Sequence, residues 1–260
     1  MFDQTLEYFL KAGDIKRKDA VEVRWAHAVN TRSRLKEALS GPTHMLEADV
    51  ILNGVFPREP IMAHPPATDS DITLREWLQA VKVHNKGIKL DFKSLEAVAL
   101  SVALLQEVLS ELNFPIWVNA DVLQGPGGTA CPLDPRAFLV AVERLPPHAV
   151  LSLGWTALWT AGTDNPGYSW VMVKQMQELC REVKHPVTFP VCAALMARSF
   201  SQLKWLLQQS DRYTLTVWTG RSDELRLQDL VSYRKEFDVS RIYYDLPEHQ
   251  RMELSVMSQN

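Results

Sequence analysis

Residues 45–51 read Met-Leu-Glu-Ala-Asp-Val-Ile, and residues 87–93 read Gly-Ile-Lys-Leu-Asp-Phe-Lys. Each stretch places charged residues two apart within an aliphatic run, which is the spacing of side chains on one face of a β-strand. Glu47 and Asp49 therefore project to the same side of the first stretch. Strand interiors normally bury apolar side chains, so this charged face predicts a pair of strands whose ends carry a site.

Six more short runs of β-branched, aromatic and aliphatic residues accompany these two stretches. The eight predicted strands are Glu22–His27, Met45–Ile51, Gly87–Phe92, Pro115–Asp121, Ala149–Trp155, Val187–Cys192, Tyr213–Trp218 and Arg241–Asp245. Apolar residues spaced three and four apart between them predict helices. These segments are Arg32–Leu39, Leu74–Val83, Leu95–Leu112, Pro135–Val142, Trp170–Val183, Phe200–Leu207 and Leu225–Phe237.

Strand and helix thus alternate along 260 residues. This pattern predicts an α/β protein with parallel strands, and eight units in this length favour a single (β/α)8 TIM barrel. We expect one domain over residues 1–260, with strands between about residues 22 and 245 and short extensions at each end. No glycine-rich dinucleotide fingerprint follows the first strand, which disfavours an open doubly wound sheet.

Two helix starts carry recognisable capping signals. Thr73 with Glu76 three residues later has the spacing of a capping box, and Ser199 stands where another N-cap is needed.

The composition limits the classes of partner. Lysine and arginine number 28 against 31 acidic residues, for a net charge of −3, so no broad basic field is available for nucleic acid. The three cysteines are far apart, which fits a reduced compartment. We find no transmembrane segment and no secretory leader pattern, and therefore expect a cytoplasmic protein; a protein partner stays possible.

Acidic side chains accumulate at the ends of the second and third predicted strands. Because neighbouring parallel strands lie about 4.8 Å apart, Glu47, Asp49 and Asp91 should surround one point at the barrel mouth. Three carboxylates this close repel one another, and a hard cation such as Mg²⁺ or Ca²⁺ would resolve the conflict. The alternative is an ion-pair network, Glu47 with Lys89 or Asp49 with Lys93, without a metal.

Two histidines flank this acidic group. His27 ends the first predicted strand, and His64 follows the second. Each taken alone would be an ordinary polar residue, but together with the acids they suggest proton transfer near neutral pH. Farther around the barrel, residues at strand ends could line the same pocket or simply pack in the core: Asn119, Asp121, Trp155 and Trp218.

The order of these residues carries a family resemblance. The segments Trp25–Asn30, Leu46–Val50 and Ile88–Lys93 look most like the menorin family, and that resemblance runs from about Leu6 to Asp245. In its first 93 residues the chain also resembles the glycerophosphodiester phosphodiesterase and phospholipase-C-like phosphodiesterase superfamily.

The superfamily resemblance implies a role for each residue of the group. His27 and His64 stand at the positions of two catalytic histidines, and Glu47, Asp49 and Asp91 at those of the metal ligands. Lys93 would contact a substrate phosphate, with Lys89 among the other substrate-binding residues.

The chain departs from the superfamily pattern at three positions that follow the two histidines. Ala28 and Val29 replace the arginine and glycine that usually follow the first histidine, and Pro65 replaces the aspartate that usually follows the second. The arginine would be a strong hydrogen-bond donor to a phosphate, and the aspartate would orient the second imidazole.

The resemblance therefore implies one of two functions. The first is a metal-dependent phosphodiesterase, hydrolysing or cyclising a small or lipid-derived phosphodiester through histidine acid–base chemistry. The second is a catalytically impaired barrel that keeps the metal and serves as a binding or signalling module. A sugar hydrolase, which needs only two separated carboxylates, is disfavoured by the pair of histidines.

Overall fold

The computed structural model describes residues 2–109, 114–220 and 223–257. Nine strands form one sheet in this part of the chain. They are β1 (Trp25–Ala26), β2 (Met45–Leu52), β3 (Pro60–Met62), β4 (Gly87–Phe92), β5 (Ile116–Gln124), β6 (Val150–Thr156), β7 (Val187–Cys192), β8 (Tyr213–Trp218) and β9 (Ile242–Asp245).

Eight of the strands are parallel and follow one another in the order β1-β2-β4-β5-β6-β7-β8-β9. They make a nearly closed barrel like that of a TIM barrel, so the predicted mixed α/β class and parallel arrangement are confirmed. The exception is β3, which was not predicted: it returns antiparallel along the end of β2, pairing Val50 with Met62.

Helices surround the strands. They are α1 (Thr5–Ala12), α2 (Arg32–Ser40), α3 (Leu74–Val81), α4 (Leu95–Leu109), α5 (Pro135–Val142), α6 (Trp170–Cys180), α7 (Ala193–Met196), α8 (Phe200–Gln208), α9 (Leu227–Glu236) and α10 (Glu248–Met257), with 3-10 turns at Ala20–Glu22 and Val239–Arg241. The seven predicted helices are present with ends shifted by a few residues. The predicted end of the third, Leu112, lies outside the described residues. Helices α1, α7 and α10 were not predicted.

The two capping predictions had different outcomes. The Thr73 hydroxyl accepts from the Glu76 backbone N–H and the Glu76 carboxylate accepts from that of Thr73, so the capping box is confirmed. Ser199 is the N-cap residue of α8, as predicted, but its side chain does not cap the helix, because the hydroxyl donates to the Leu195 carbonyl (2.8 Å) and accepts from the Tyr168 backbone N–H (2.8 Å).

The buried apolar residues form two main layers. The larger lies between the strands and the surrounding helices. The smaller lies inside the amino-terminal end of the barrel, where Trp117 packs edge-on against Tyr243 and Trp25, and Phe9 of α1 joins the same cluster. This aromatic floor closes the barrel below and leaves its polar side chains at the other end.

None of the described helices is both long and apolar enough to cross a bilayer.

Candidate metal and acid–base site

Three carboxylates meet at the carboxyl end of the barrel. Asp49 on β2 pairs in register with Asp91 on β4, and Glu47 lies two residues before Asp49 on the same face. Each of the three offers an oxygen within 4.8 Å of the others. Glu47 and Asp49 are buried, and Asp91 is half-buried, so this is the arrangement that the strand spacing predicted.

The loop after β1 holds two of these carboxylates in place. The Ala28 backbone N–H donates to Glu47 Oε2 (2.8 Å). Ala28 itself adopts a left-handed backbone conformation, with φ of +52°. The Asn30 side chain donates to Asp49 Oδ2 (2.8 Å) and accepts from the Asp49 backbone N–H (2.9 Å). On β5, Asn119 donates to Asp91 Oδ1 (2.8 Å). The acids are thus oriented before any ligand arrives.

Lysine side chains supply the nearest positive charge. Lys93 Nζ lies 2.5 Å from Asp91 Oδ2 and 3.4 Å from Asp49 Oδ1, so the predicted Asp49–Lys93 pair is present. Burial alone would raise the pKa of Asp91, but the charge and hydrogen bond of Lys93 keep that pKa below its ordinary value. Lys89 is buried with its ammonium 5.6 Å from the centre of the Trp25 ring, and no ion pair between it and Glu47 appears in the described chain.

His27 lies at the rim of the same group. Its Nδ1 is 3.2 Å from Glu47 Oε2 and 3.4 Å from Asp245 Oδ2, while 68% of its side chain is exposed. The contact with Asp245, reinforced by the charges of both carboxylates, raises the pKa of His27 to about 9. Burial, helped by the charges of Asp49 and Asp91 and opposed by His27, raises the pKa of Glu47 to about 7.

His64 follows β3 and is exposed. The Ala63 backbone N–H donates to the Asp49 carbonyl (3.1 Å), which fixes the start of this loop beside the acids. His64 Nδ1 lies 2.6 Å from the Pro65 carbonyl oxygen. A carbonyl can only accept, so the proton of the neutral ring resides on Nδ1 and Nε2 keeps its lone pair.

The other predicted pocket residues lie either at the mouth of the barrel or in its core: Asn119, Asp121, Trp155 and Trp218. Asn119 links Asp91 to Ser152, whose hydroxyl donates to Asn119 Oδ1 (2.5 Å). Asp121 lies on the same face of β5, over the space left by its register partner Gly154. Burial, together with the charge of Asp91, raises the pKa of Asp121 to about 7.

The two tryptophans differ in their surroundings. Trp155 is buried against Tyr168 and Phe189, on the side of the barrel that faces the helices. Trp218 is half-buried at the end of β8, in register with Asp245. The structure therefore places Trp218 at the mouth and Trp155 in the helix-facing core.

Sequence reasoning missed Asp245 as a site residue. It ends the last predicted strand just as Asp91 lies near the end of its own, and closure of the barrel brings it beside His27 on the first strand. The same rule about strand ends, applied to the eighth strand, would have found it.

The donor set is suited to a hard divalent cation. All three ligating groups are carboxylates, two of them buried and pre-oriented by hydrogen bonds, and such oxygen ligands are those that Mg²⁺ and Ca²⁺ take. The fold and this group define an α/β barrel protein with an acidic site at the carboxyl ends of its strands.

Comparisons with known proteins narrow this class. The family described as Menorin N-terminal domain matches residues 19–251. Protein FAM151B of Homo sapiens is 48% identical over 253 residues, which cover 96% of this chain and 92% of that protein. The chain belongs to the menorin N-terminal domain family.

Proposed function

We propose that this chain is a metal-dependent phosphodiesterase-like protein acting on a small or lipid-derived phosphodiester. The observation that carries the proposal is the meeting of three oriented carboxylates with the His27 imidazole at one mouth. The relation to the wider phosphodiesterase superfamily rests on the order of the histidines and acids in the first 93 residues, and it is part of the proposal.

Glu47, Asp49 and Asp91 would hold one Mg²⁺ or Ca²⁺. When bound, the ion would supply charge that polarises a phosphodiester oxygen. Lys93 would bring its ammonium to a non-bridging phosphate oxygen, since it already reaches the acids from the side of β4.

The two imidazoles suit opposite proton transfers. His64 Nε2 carries a lone pair and would take the proton of the attacking hydroxyl, from water or from the substrate itself. As the new P–O bond forms and the bond to the leaving oxygen breaks, His27 would give that oxygen a proton from Nε2. The carboxylates of Glu47 and Asp245 stabilise the doubly protonated ring through Nδ1.

The first test is metal binding by calorimetry. We expect about one Mg²⁺ or Ca²⁺ per chain and a gain in stability of about 2.7 kcal/mol at a hundredfold excess over Kd. Asp49→Asn should weaken binding strongly, and Asp211→Asn, at an exposed turn, should not. A melting temperature unaffected by millimolar metal and by chelator would leave only the ion-pair network.

The second test is turnover of glycerophosphodiesters, lysophospholipids and sphingomyelin with either metal. His27→Ala and His64→Ala should each lower kcat about 10²–10⁴-fold while metal binding is retained. Activity that persists in the double variant would contradict the assignment of both histidines.

A non-catalytic binding module is the second candidate. The observation that favours it is the composition around His27: Ala28 contributes only its backbone N–H to Glu47, where the superfamily resemblance implies an arginine. Metal binding without turnover of any of these substrates would support this candidate.

A further inference from the structure

An apolar loop projects from the mouth beside the acids. Residues 53–59 connect β2 to β3, and at their tip Val55 is 73% exposed and Phe56 is 91% exposed. Apolar side chains scattered singly are common on surfaces, but a phenylalanine with almost no protein contact, next to an exposed valine, is not.

The neck of this loop is closed. The Asn53 backbone N–H donates to the Glu59 carbonyl (3.0 Å), and the Asn53 side chain accepts from the Glu59 backbone N–H (3.0 Å). Beside the neck, Arg58 forms an ion pair with Glu96 at the start of α4 (3.0 Å). The tip is therefore a protrusion on a fixed base.

The loop is continuous with the candidate site. Strand β2 carries Glu47 and Asp49 and then runs directly into it, and the returning chain bonds to Asp49 through Ala63. A third exposed apolar side chain, Leu158 at 49%, lies after the carboxyl end of β6, at the same end of the barrel. Its backbone is fixed by a bond from the Leu158 N–H to the Pro126 carbonyl (3.0 Å).

We propose that the Val55–Phe56 tip docks the barrel mouth on a zwitterionic lipid bilayer, so that the substrate is the headgroup of a membrane lipid. This inference rests on the proposed function and names its substrate class. A narrow apolar protrusion can insert into the interfacial region of a bilayer, because the lipids rearrange to surround it. The cation beside the tip, Arg58, is already paired with Glu96, so the loop offers little to attract an anionic surface.

The test is co-sedimentation of the full chain with phosphatidylcholine vesicles. Wild type should partition measurably, and the double variant Val55→Ser/Phe56→Ser should partition roughly tenfold to hundredfold less, because two apolar side chains no longer enter the bilayer. The matched control is Phe2→Ser/Val140→Ser, which removes one exposed phenylalanine and one exposed valine elsewhere and should bind like wild type.

Several outcomes separate this proposal from the one on which it rests. Absence of wild-type binding, or equal loss in the control, would overturn the bilayer proposal and favour a protein partner for the tip. Retained vesicle binding without turnover of either the vesicle lipid or soluble glycerophosphocholine would contradict the phosphodiesterase, and with it the lipid substrate, while the docking of the tip would stand. If both hold, the tip variant should lose turnover on vesicles and keep it on the soluble diester.

Discussion

The ammonium of Lys93 would compete with a divalent ion for the carboxylates of Asp91 and Asp49. Its ammonium lies against Asp91 and Asp49, with 24% of the side chain exposed. In a metal-free chain it is the ammonium nearest to two of the three carboxylates, and it lowers their mutual repulsion. The ion-pair network and the proposed metal site would thus be two states of one group of residues.

Lys93→Met should therefore destabilise the metal-free protein by about 1–3 kcal/mol, between the values for exposed and buried pairs. Added Mg²⁺ or Ca²⁺ should then raise the melting temperature more in this variant than in wild type, since the ion takes over the neutralisation. Lys204→Met, which removes a surface pair with Glu236, serves as control. An equal metal response in all three proteins would argue against a shared position.

His44 provides a pH-dependent contribution far from the mouth. Its Nδ1 accepts from the Arg24 backbone N–H (3.1 Å), and burial, followed by the charges of Arg24 and Lys86, lowers the pKa of His44 to about 4. The unfolded chain binds a proton at this ring below about pH 6.5, whereas the ring in the folded chain stays neutral until the pH approaches 4. Stability is therefore unaffected above that pH and falls between about pH 6.5 and 4.

The expected loss from this residue is ~3 kcal/mol across that interval. His44→Asn keeps an acceptor near the backbone N–H but does not titrate, so its urea-derived stability should fall less over the same pH range. His84→Asn, at an exposed ring, should follow wild type. A parallel decline in wild type and His44→Asn would show that other groups dominate.

At the level of elements, the apolar patterns identified the strands that build the barrel. They could not locate β3, because three residues, Pro60–Met62, are too few to show a period. They also made the first strand too long. It covers only Trp25–Ala26, because Glu22 belongs to the 3-10 turn before it, and because the backbone turns at Ala28 after it, where the Asn30 side chain takes over bonding to β2. The carboxylate cluster was predictable from strand-end acids; Asp245 is also a strand-end acid, but its position beside His27 follows only from the closure of the barrel.

The loops after β5 and β6 are packed so closely that one glycine is indispensable. A Cβ at Gly128 would overlap the carbonyl oxygen of Thr156, which is backbone and cannot rotate away. Gly128→Ala should therefore cost about 3 kcal/mol by urea unfolding. Gly54→Ala makes the same change where no atom lies within 4 Å and should leave stability unchanged; equal effects would contradict the packing argument.

At the scale of the whole molecule, polar links join the first residues to the last elements. Asp19 accepts two bonds from Arg234 of α9 (2.7 and 3.0 Å), with both side chains buried. The Arg251 guanidinium donates to the Val21 carbonyl. These contacts tie the segment before β1 to the helices around β9.

Arg234→Met should destabilise the protein by about 3–5 kcal/mol, because it leaves the Asp19 carboxylate buried without its main partner. Arg226→Met removes an exposed pair with Asp229 at the start of the same helix and should cost less than about 1 kcal/mol. Similar melting temperatures for the two variants would mean that the buried pair does not help to hold the two ends together.

The aromatic floor of Trp117, Tyr243 and Trp25 blocks the amino-terminal end of the barrel to ions and small molecules. With Lys89 buried above it and α1 packed below, the described residues would let an ion or small molecule at the carboxylates exchange with solvent through the mouth rather than through the floor. If the proposed activity holds, substrate and product would share one route, and a product still in place would obstruct the next substrate. Off-rates measured by dilution into chelator should accordingly respond to the loops at the mouth and be insensitive to α1.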